Sequence, residues 1–181
     1  MKKVITFLAD GFVTVEALTV VDVLRRANVC VDTVSVMEDE YVTTAQNILI
    51  KADRLLCDVD ISDYDMIFLP GGGGYKHLLE NETVMSGVEN FVKNGKLVSA
   101  ICAAPSILGR MGLLEGKNAT CFPGFEKYML GANVTGAPVV TDGNIITGKG
   151  MGVSTAFALA VLSSLCGSDI ADEIGKQIQF F

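Results

Sequence analysis

The strongest constraint on the fold is a set of short, β-rich runs that are apolar almost throughout and do not alternate with polar residues. They are Lys3–Ala9, Met66-Ile67-Phe68-Leu69 and Leu97–Ile101. A strand with one face in water alternates. A continuous apolar strand needs cover on both faces, as in a parallel sheet between helical layers. Helical patterns separate these runs. Thr14–Asn28 places Val13, Ala17, Val20, Val21 and Leu24 on one face, with Arg25 and Arg26 in its last turn. Val29–Val36 reads as a strand, and Tyr41–Ile50 as one or two small edge strands. Val84–Lys93 and Pro105–Met111 read as helices. Val139–Thr141 and Ile145–Thr147 form a hairpin after Pro138, and helices are expected at Ser154–Cys166 and Asp169–Lys176. The spacing predicts an α/β fold with a mostly parallel central sheet. With no repeat and no linker, residues 1–181 are expected to be a single domain.

Composition narrows the function. Half of the 181 residues are apolar and 19% are charged. A chain this size buries about 70% of its unfolded surface, so disorder is not expected. The apolar runs are too short to span a bilayer. The start, Met1–Asp10, meets an acid where a secretion signal needs a longer apolar stretch. A cytoplasmic protein with no membrane contact is expected. The 14 basic and 21 acidic residues give a net charge of -7, with no run of Lys or Arg longer than two. Nucleic acid needs a basic footprint, so it is not an expected partner. The single histidine, His77, leaves few routes to a His-based metal site or a Ser-His-Asp triad. Five cysteines without a CxxC pair do not suggest a disulfide framework or a zinc ribbon. No metal and no organic cofactor is expected.

In parallel α/β sheets, ligands sit beyond the carboxyl ends of the strands. Three segments lie there. Ala100-Ile101-Cys102-Ala103-Ala104-Pro105 runs from strand into helix, with small residues two before and two after the thiol and Pro105 in the first helical turn. This is the pattern of a nucleophile elbow. A helix start would stabilise the thiolate and lower the thiol pKa. A packing cysteine that happens to begin a helix is the competing reading. Leu69-Pro70-Gly71-Gly72-Gly73-Gly74 can aim backbone N–H groups at one point, as an oxyanion hole requires, but has no phosphate-loop GK[ST]. A flexible turn is its bland alternative. Asp10-Gly11-Phe12 leads to Glu16 in the first turn of a helix, bordering the apolar face of Val20, Val23 and Ala27. A neutral buried acid there could donate to a thiolate. A plain helix-start Glu is the alternative.

Together these motifs resemble the ThiJ/PfpI superfamily, closest to the ThiJ-like branch that includes the protein deglycases. They are Asp10-Gly11-Phe12 through Glu16, Pro70-Gly71-Gly72, the Ala100–Pro105 elbow, and Thr147-Gly148-Lys149-Gly150-Met151-Gly152-Val153-Ser154. The match runs in order through essentially the whole chain, and the elbow with its Pro-Gly-Gly is its most specific part. The resemblance implies a flavodoxin-like three-layer sandwich that forms homodimers. It implies Cys102 as nucleophile and a protonated Glu16 hydrogen-bonded to it. Gly72, Gly73 and the Ala103 amide become the oxyanion donors. The implied substrates are small dicarbonyls or glycated proteins, in a cofactor-free stress-response reaction of deglycase or glyoxalase type. Oxidative sensing through the same thiolate, or a chaperone-like dimer without turnover, is the implied alternative.

The chain also departs from its relatives. Some deglycases carry a His in a T-x-H-P-like segment. Here that segment is Ala119-Thr120-Cys121-Phe122-Pro123, with Phe122 in the His position. The protease-like branch has His directly after the nucleophile, where this chain has Ala103. Peptidase activity is therefore not expected. His77 is expected in an exposed loop. Cys121 is either a resolving thiol near Cys102 or a packing residue. Lys149 either lines the pocket or dimer interface, as a basic residue does in relatives, or is solvated.

Overall fold

A computed structural model describes residues 1–180. In chain order the strands are β1 (Lys3–Leu8), β2 (Cys30–Ser35), β3 (Tyr41–Thr43), β4 (Leu49–Lys51), β5 (Arg54–Leu55), β6 (Met66–Leu69), β7 (Leu97–Ile101), β8 (Asn118–Ala119), β9 (Asn133–Val134), β10 (Val139–Asp142) and β11 (Ile145–Gly148). The α-helices are α1 (Thr14–Arg26), α2 (Tyr75–Glu80), α3 (Glu82–Lys93), α4 (Pro105–Arg110), α5 (Ser154–Cys166) and α6 (Ser168–Gln177). Seven strands form one sheet in the order β10-β11-β7-β6-β1-β2-β5. Neighbours are parallel except the β10–β11 hairpin. The parallel sheet read from the unalternating strands is the one observed.

Residues of α1, α5 and α6, among them Val20, Leu24, Phe157, Leu162 and Ile174, cover one face with Val4, Met66 and Phe68. Residues of α2, α3 and α4, among them Leu78, Val88, Phe91 and Ile107, cover the other with Ile5, Ile67 and Leu69. The strands β1 and β6 thus feed both cores, which is why neither can afford a polar face.

Several elements differ from the sequence reading. The Tyr41–Ile50 region is not a sheet edge. Its strands β3 and β4 pair only with each other, and the edge beyond β2 is the two-residue β5. The helix α2 has only six residues, too few for a periodic apolar stripe, and the sequence reading missed it. It starts directly after the four glycines. The short parallel pair β8–β9 carries no period of its own.

Candidate active site

The carboxyl ends of β1, β6 and β7 meet at Cys102. The elbow is clamped on both sides. Cys102 N–H donates to Gly148 O at 2.9 Å, and Cys102 C=O accepts from Phe122 N–H at 2.8 Å. Ala104 N–H turns back onto Ile101 O at 3.1 Å, and Ser106 Oγ donates to Ala103 O at 2.6 Å. Within this frame Cys102 takes φ 65°, in the left-handed region. A side chain there costs about 1–3 kcal/mol and survives only where neighbours over-determine it. The same turn puts the thiol beyond the strand end with only 9% of the residue exposed.

Glu16 reaches this point from α1 and is 1% exposed. Its Oε2 accepts from Gly71 N–H at 3.2 Å, and its carboxyl is hydrogen-bonded to Cys102. Gly71 fits between the two. A Cβ on it would lie 2.5 Å from Cys102 Cβ and 2.6 Å from Glu16 Oε2. Glycine is therefore demanded here by space, not by flexibility. Gly72 has φ 83°, and a Cβ there would meet Gly11 O at 2.5 Å. The amides that face the Cys102 sulphur are those of Gly72 and Ala103. Gly73 follows, its carbonyl accepting from Lys76 N–H at the start of α2.

Burial pushes the Glu16 carboxyl above the ordinary carboxylate range, against its hydrogen bonds to Cys102 and Gly71. The Cys102 thiol is also pushed up, first by burial, and a charged Glu16 hydrogen-bonded to it would push it further. The Gly72 and Ala103 amides pull it down. This corrects the expectation of a thiol lowered by a helix start. The helix α4 is only six residues long, and the Gly72 and Ala103 amides oppose burial without outweighing it.

The remaining sequence candidates lie elsewhere. His77 is exposed on α2 and shares a surface groove with Asp10, Glu38 and Asp39. It is not in a loop, as expected, but it is exposed. Cys121 is 4% exposed and packs in the core beneath α2, α3 and α4, whereas Cys102 packs in the core on the opposite face. Lys149 Nζ donates to Gly136 O at 3.2 Å. Among the described residues no group of three or more His, Cys, Asp or Glu side chains could hold a metal ion, and no helix is long and apolar enough to cross a membrane. Sequence reasoning gave Gly71 no separate role. The dense glycine run was the signal, but only the packed structure shows which member fills the gap.

A parallel three-layer sandwich with a left-handed cysteine at the turn after a central strand, a buried glutamate beside it and a glycine loop across it defines a cysteine-elbow α/β protein. The chain belongs to the DJ-1/PfpI family, whose model matches residues 2–164. It is 33% identical over 178 residues to Protein dj-1beta of Drosophila melanogaster, covering 97% of this chain and 95% of that protein. It is 38% identical over 179 residues to Protein DJ-1 homolog B of Arabidopsis thaliana, covering 96% of this chain but only 40% of that longer relative. Oxidised DJ-1 of Toxoplasma gondii superposes with a TM-score of 0.92 at 30% identity, covering 99% of this chain and 98% of that one. These likenesses bear out the family resemblance and the flavodoxin-like sandwich.

Proposed function

We propose that the chain is a cofactor-free, cysteine-dependent stress-response enzyme of deglycase or glyoxalase type. It acts in the cytoplasm on small dicarbonyls or on the adducts they form on proteins. One observation carries this reading: Cys102, held at φ 65°, shares a buried site with Glu16 beneath the Gly72 and Ala103 amides. Burial makes two charges there costly and one tolerable, so the pair titrates as a unit. With one proton between them, the negative charge belongs on sulphur. The thiolate then has two amide donors and the Glu16 O–H, whereas a Glu16 carboxylate has one amide and a weak thiol donor.

The reaction follows from that charge state. The Cys102 thiolate attacks an aldehyde carbon, a C–S bond forms, and the carbonyl π pair becomes an oxyanion. The amides of Gly72, Gly73 and Ala103 are the proposed donors to it, and Glu16 supplies its proton. The Glu16 carboxylate then removes the proton from the former aldehyde carbon and returns it to the neighbouring carbonyl carbon, while the hydroxyl proton passes to the neighbouring oxygen, which leaves a 2-hydroxy thioester. Water releases the resulting thioester as a 2-hydroxy acid and regenerates the thiolate. The sum is dicarbonyl plus water, with no outside oxidant or reductant. Peptidase chemistry lacks support, because the one histidine, His77, is exposed on α2 and Cys102 has no imidazole to protonate a leaving amine.

A homodimer is part of this reading. The Thr14 hydroxyl on α1 donates to Gln46 Oε1 at 2.9 Å, tying the helix start to the β3–β4 turn. Around that bond lie three exposed apolar residues, Val15, Ile48 and Leu49. One relative supports a second role: the T. gondii structure is described as oxidised. Here two peroxides would take the Cys102 thiolate through sulfenic to sulfinic acid, releasing water or hydroxide each time.

The deciding experiment incubates the protein with methylglyoxal and follows the product by NMR. Lactate from the parent and none from Cys102→Ala supports the enzyme. No product from the parent, together with selective sulfinic acid at Cys102 under dilute peroxide, moves the assignment to the sensor. If neither occurs, a chaperone-like dimer remains.

A further inference from the structure

Phe122 is 46% exposed, although its neighbours Thr120 and Cys121 are buried. Two ties hold it beside the elbow. Its N–H donates to Cys102 C=O, so its backbone lies one hydrogen bond from the nucleophile. Its ring lies on Gly150, where a Cβ would stand 3.2 Å from Cδ2 and 3.7 Å from Cε2. Gly150 has φ 162°, extended backbone that any residue adopts, so the absent side chain there leaves room for the ring. Two residues earlier, Gly148 O accepts the Cys102 N–H. The ring thus spans from one backbone partner of Cys102 to the segment that supplies the other. Met151, next to Gly150, is 55% exposed and extends this apolar surface.

The rim continues toward the glycine loop. Phe125 N–H donates to Phe122 O at 3.1 Å, and the Phe125 ring stands edge-on to Tyr75, with centroids 5.5 Å apart. Tyr75 begins α2, directly after Gly74. The backbone bond from Phe125 to Phe122 and the Phe125–Tyr75 ring pair therefore link the flank of Cys102 to the loop that carries the Gly72 amide. The nearby Lys149 is drawn to Gly136 O.

We propose that Phe122 is a specificity-determining residue, and that its rim selects electrophiles bearing an apolar or aryl substituent. Resting on the dicarbonyl reading above, this means aryl or alkyl α-oxoaldehydes over glyoxal. A substituent laid on the half-wet ring removes apolar surface of both partners from water and adds ring–ring contact. The bond-making steps at Cys102 are unchanged, and Phe122 moves no proton.

The test is the ratio of kcat/KM for phenylglyoxal to that for glyoxal, measured on the full chain. Phe122→Ala is expected to lower this ratio about ten-fold, the scale of one lost apolar contact. Phe122→Tyr, which keeps the ring, should hold it within about three-fold. Gly150→Ala leaves Phe122 in place but crowds the ring, and should lower the ratio less than Phe122→Ala. An unchanged ratio in Phe122→Ala overturns the proposal. If the parent turns over neither substrate, the dicarbonyl reading fails by itself, and the rim is judged by Cys102 alkylation. N-benzyl iodoacetamide is compared with iodoacetamide, with the modified peptide identified by mass spectrometry. A preference for the benzyl reagent in the parent that Phe122→Ala loses upholds the rim, and equal preference in both proteins overturns it.

Discussion

Cys102 and Cys121 are both buried, at 9% and 4% exposure, and burial pushes both thiols up, that of Cys121 to about 11. They lie on either side of one hydrogen bond, Phe122 N–H to Cys102 C=O. Yet their surroundings differ in every respect that chemistry needs. Cys102 sits at φ 65°, has a buried carboxyl as hydrogen-bond partner and faces two amides. Cys121 lies among Ala119, Met129 and the α4 side chains in the opposite core, and the next influence on its thiol after burial is the charge of Glu126. Burial alone makes a thiol inert. What separates the two is a set of fixed donors and one exchangeable proton: the Ala103 amide comes from the elbow itself, and the Gly72 amide and the Glu16 carboxyl from segments after β6 and β1, far from either cysteine in sequence.

The sharpest way to break this comparison is to remove each thiol in turn. Cys102→Ala should abolish dicarbonyl turnover, by about 10⁴-fold or more, as loss of a nucleophile does. Cys121→Ala should leave turnover within about two-fold and lower stability by about 1–2 kcal/mol, read from urea unfolding. Comparable losses of turnover in the two variants would erase the distinction. Glu16→Gln keeps the shape of the side chain and removes its acid. Turnover should fall about 10²–10⁴-fold, the usual contribution of a positioned acid–base. Cys102 alkylation should also shift to higher pH, because an amide is a weaker donor than a carboxylic acid. A shift to lower pH would show that Glu16 is charged beside the thiol, and would reverse the assigned protonation.

Smaller effects sharpen the same contrast. Gly71→Ala places a methyl 2.5 Å from Cys102 Cβ and 2.6 Å from Glu16 Oε2. A displacement of about 1 Å costs roughly 10² in rate, and the overpacking about 1–3 kcal/mol in stability. Full activity in this variant would mean that the two side chains need not be held apart at their present separation. The smallest expected effect is a pH trend. Glu16 holds its proton more tightly folded than unfolded, where its value is near 4.5. Its burial therefore costs nothing below that pH, and the cost grows as pH rises through the raised folded value. The stability of the parent relative to Glu16→Gln should fall as pH rises above about 4.5 in urea titrations. A flat difference would contradict the raised carboxyl.

Much of this architecture is legible in the order of residues. Unalternating β1, β6 and β7 demand helices on both faces, so the parallel sandwich follows from side-chain chemistry alone. Strand-to-helix junctions with small residues mark the elbow at Cys102 and the glycine loop. Less is legible where elements are too short to show a period: α2, β5 and the β8–β9 pair. Tyr41–Ile50 reads as edge strands because local alternation says nothing about which partner a strand finds, and β3 and β4 found each other.

The lone sequence determined the layer order, the position of Cys102 after a central strand and the nearness of Glu16 to an apolar helix face. Those are properties of local pattern and of chain connectivity. Only the tertiary structure decided that Gly71 fills the gap between thiol and carboxyl, that the Gly72 and Ala103 amides face the sulphur, and that the Phe122 ring covers Gly150. It also decided the direction of the Cys102 thiol. A helix start argues downward from sequence, whereas burial of the thiol in the packed chain argues upward. Desolvation depends on everything that surrounds a group in space, and that inventory exists only once the chain is packed.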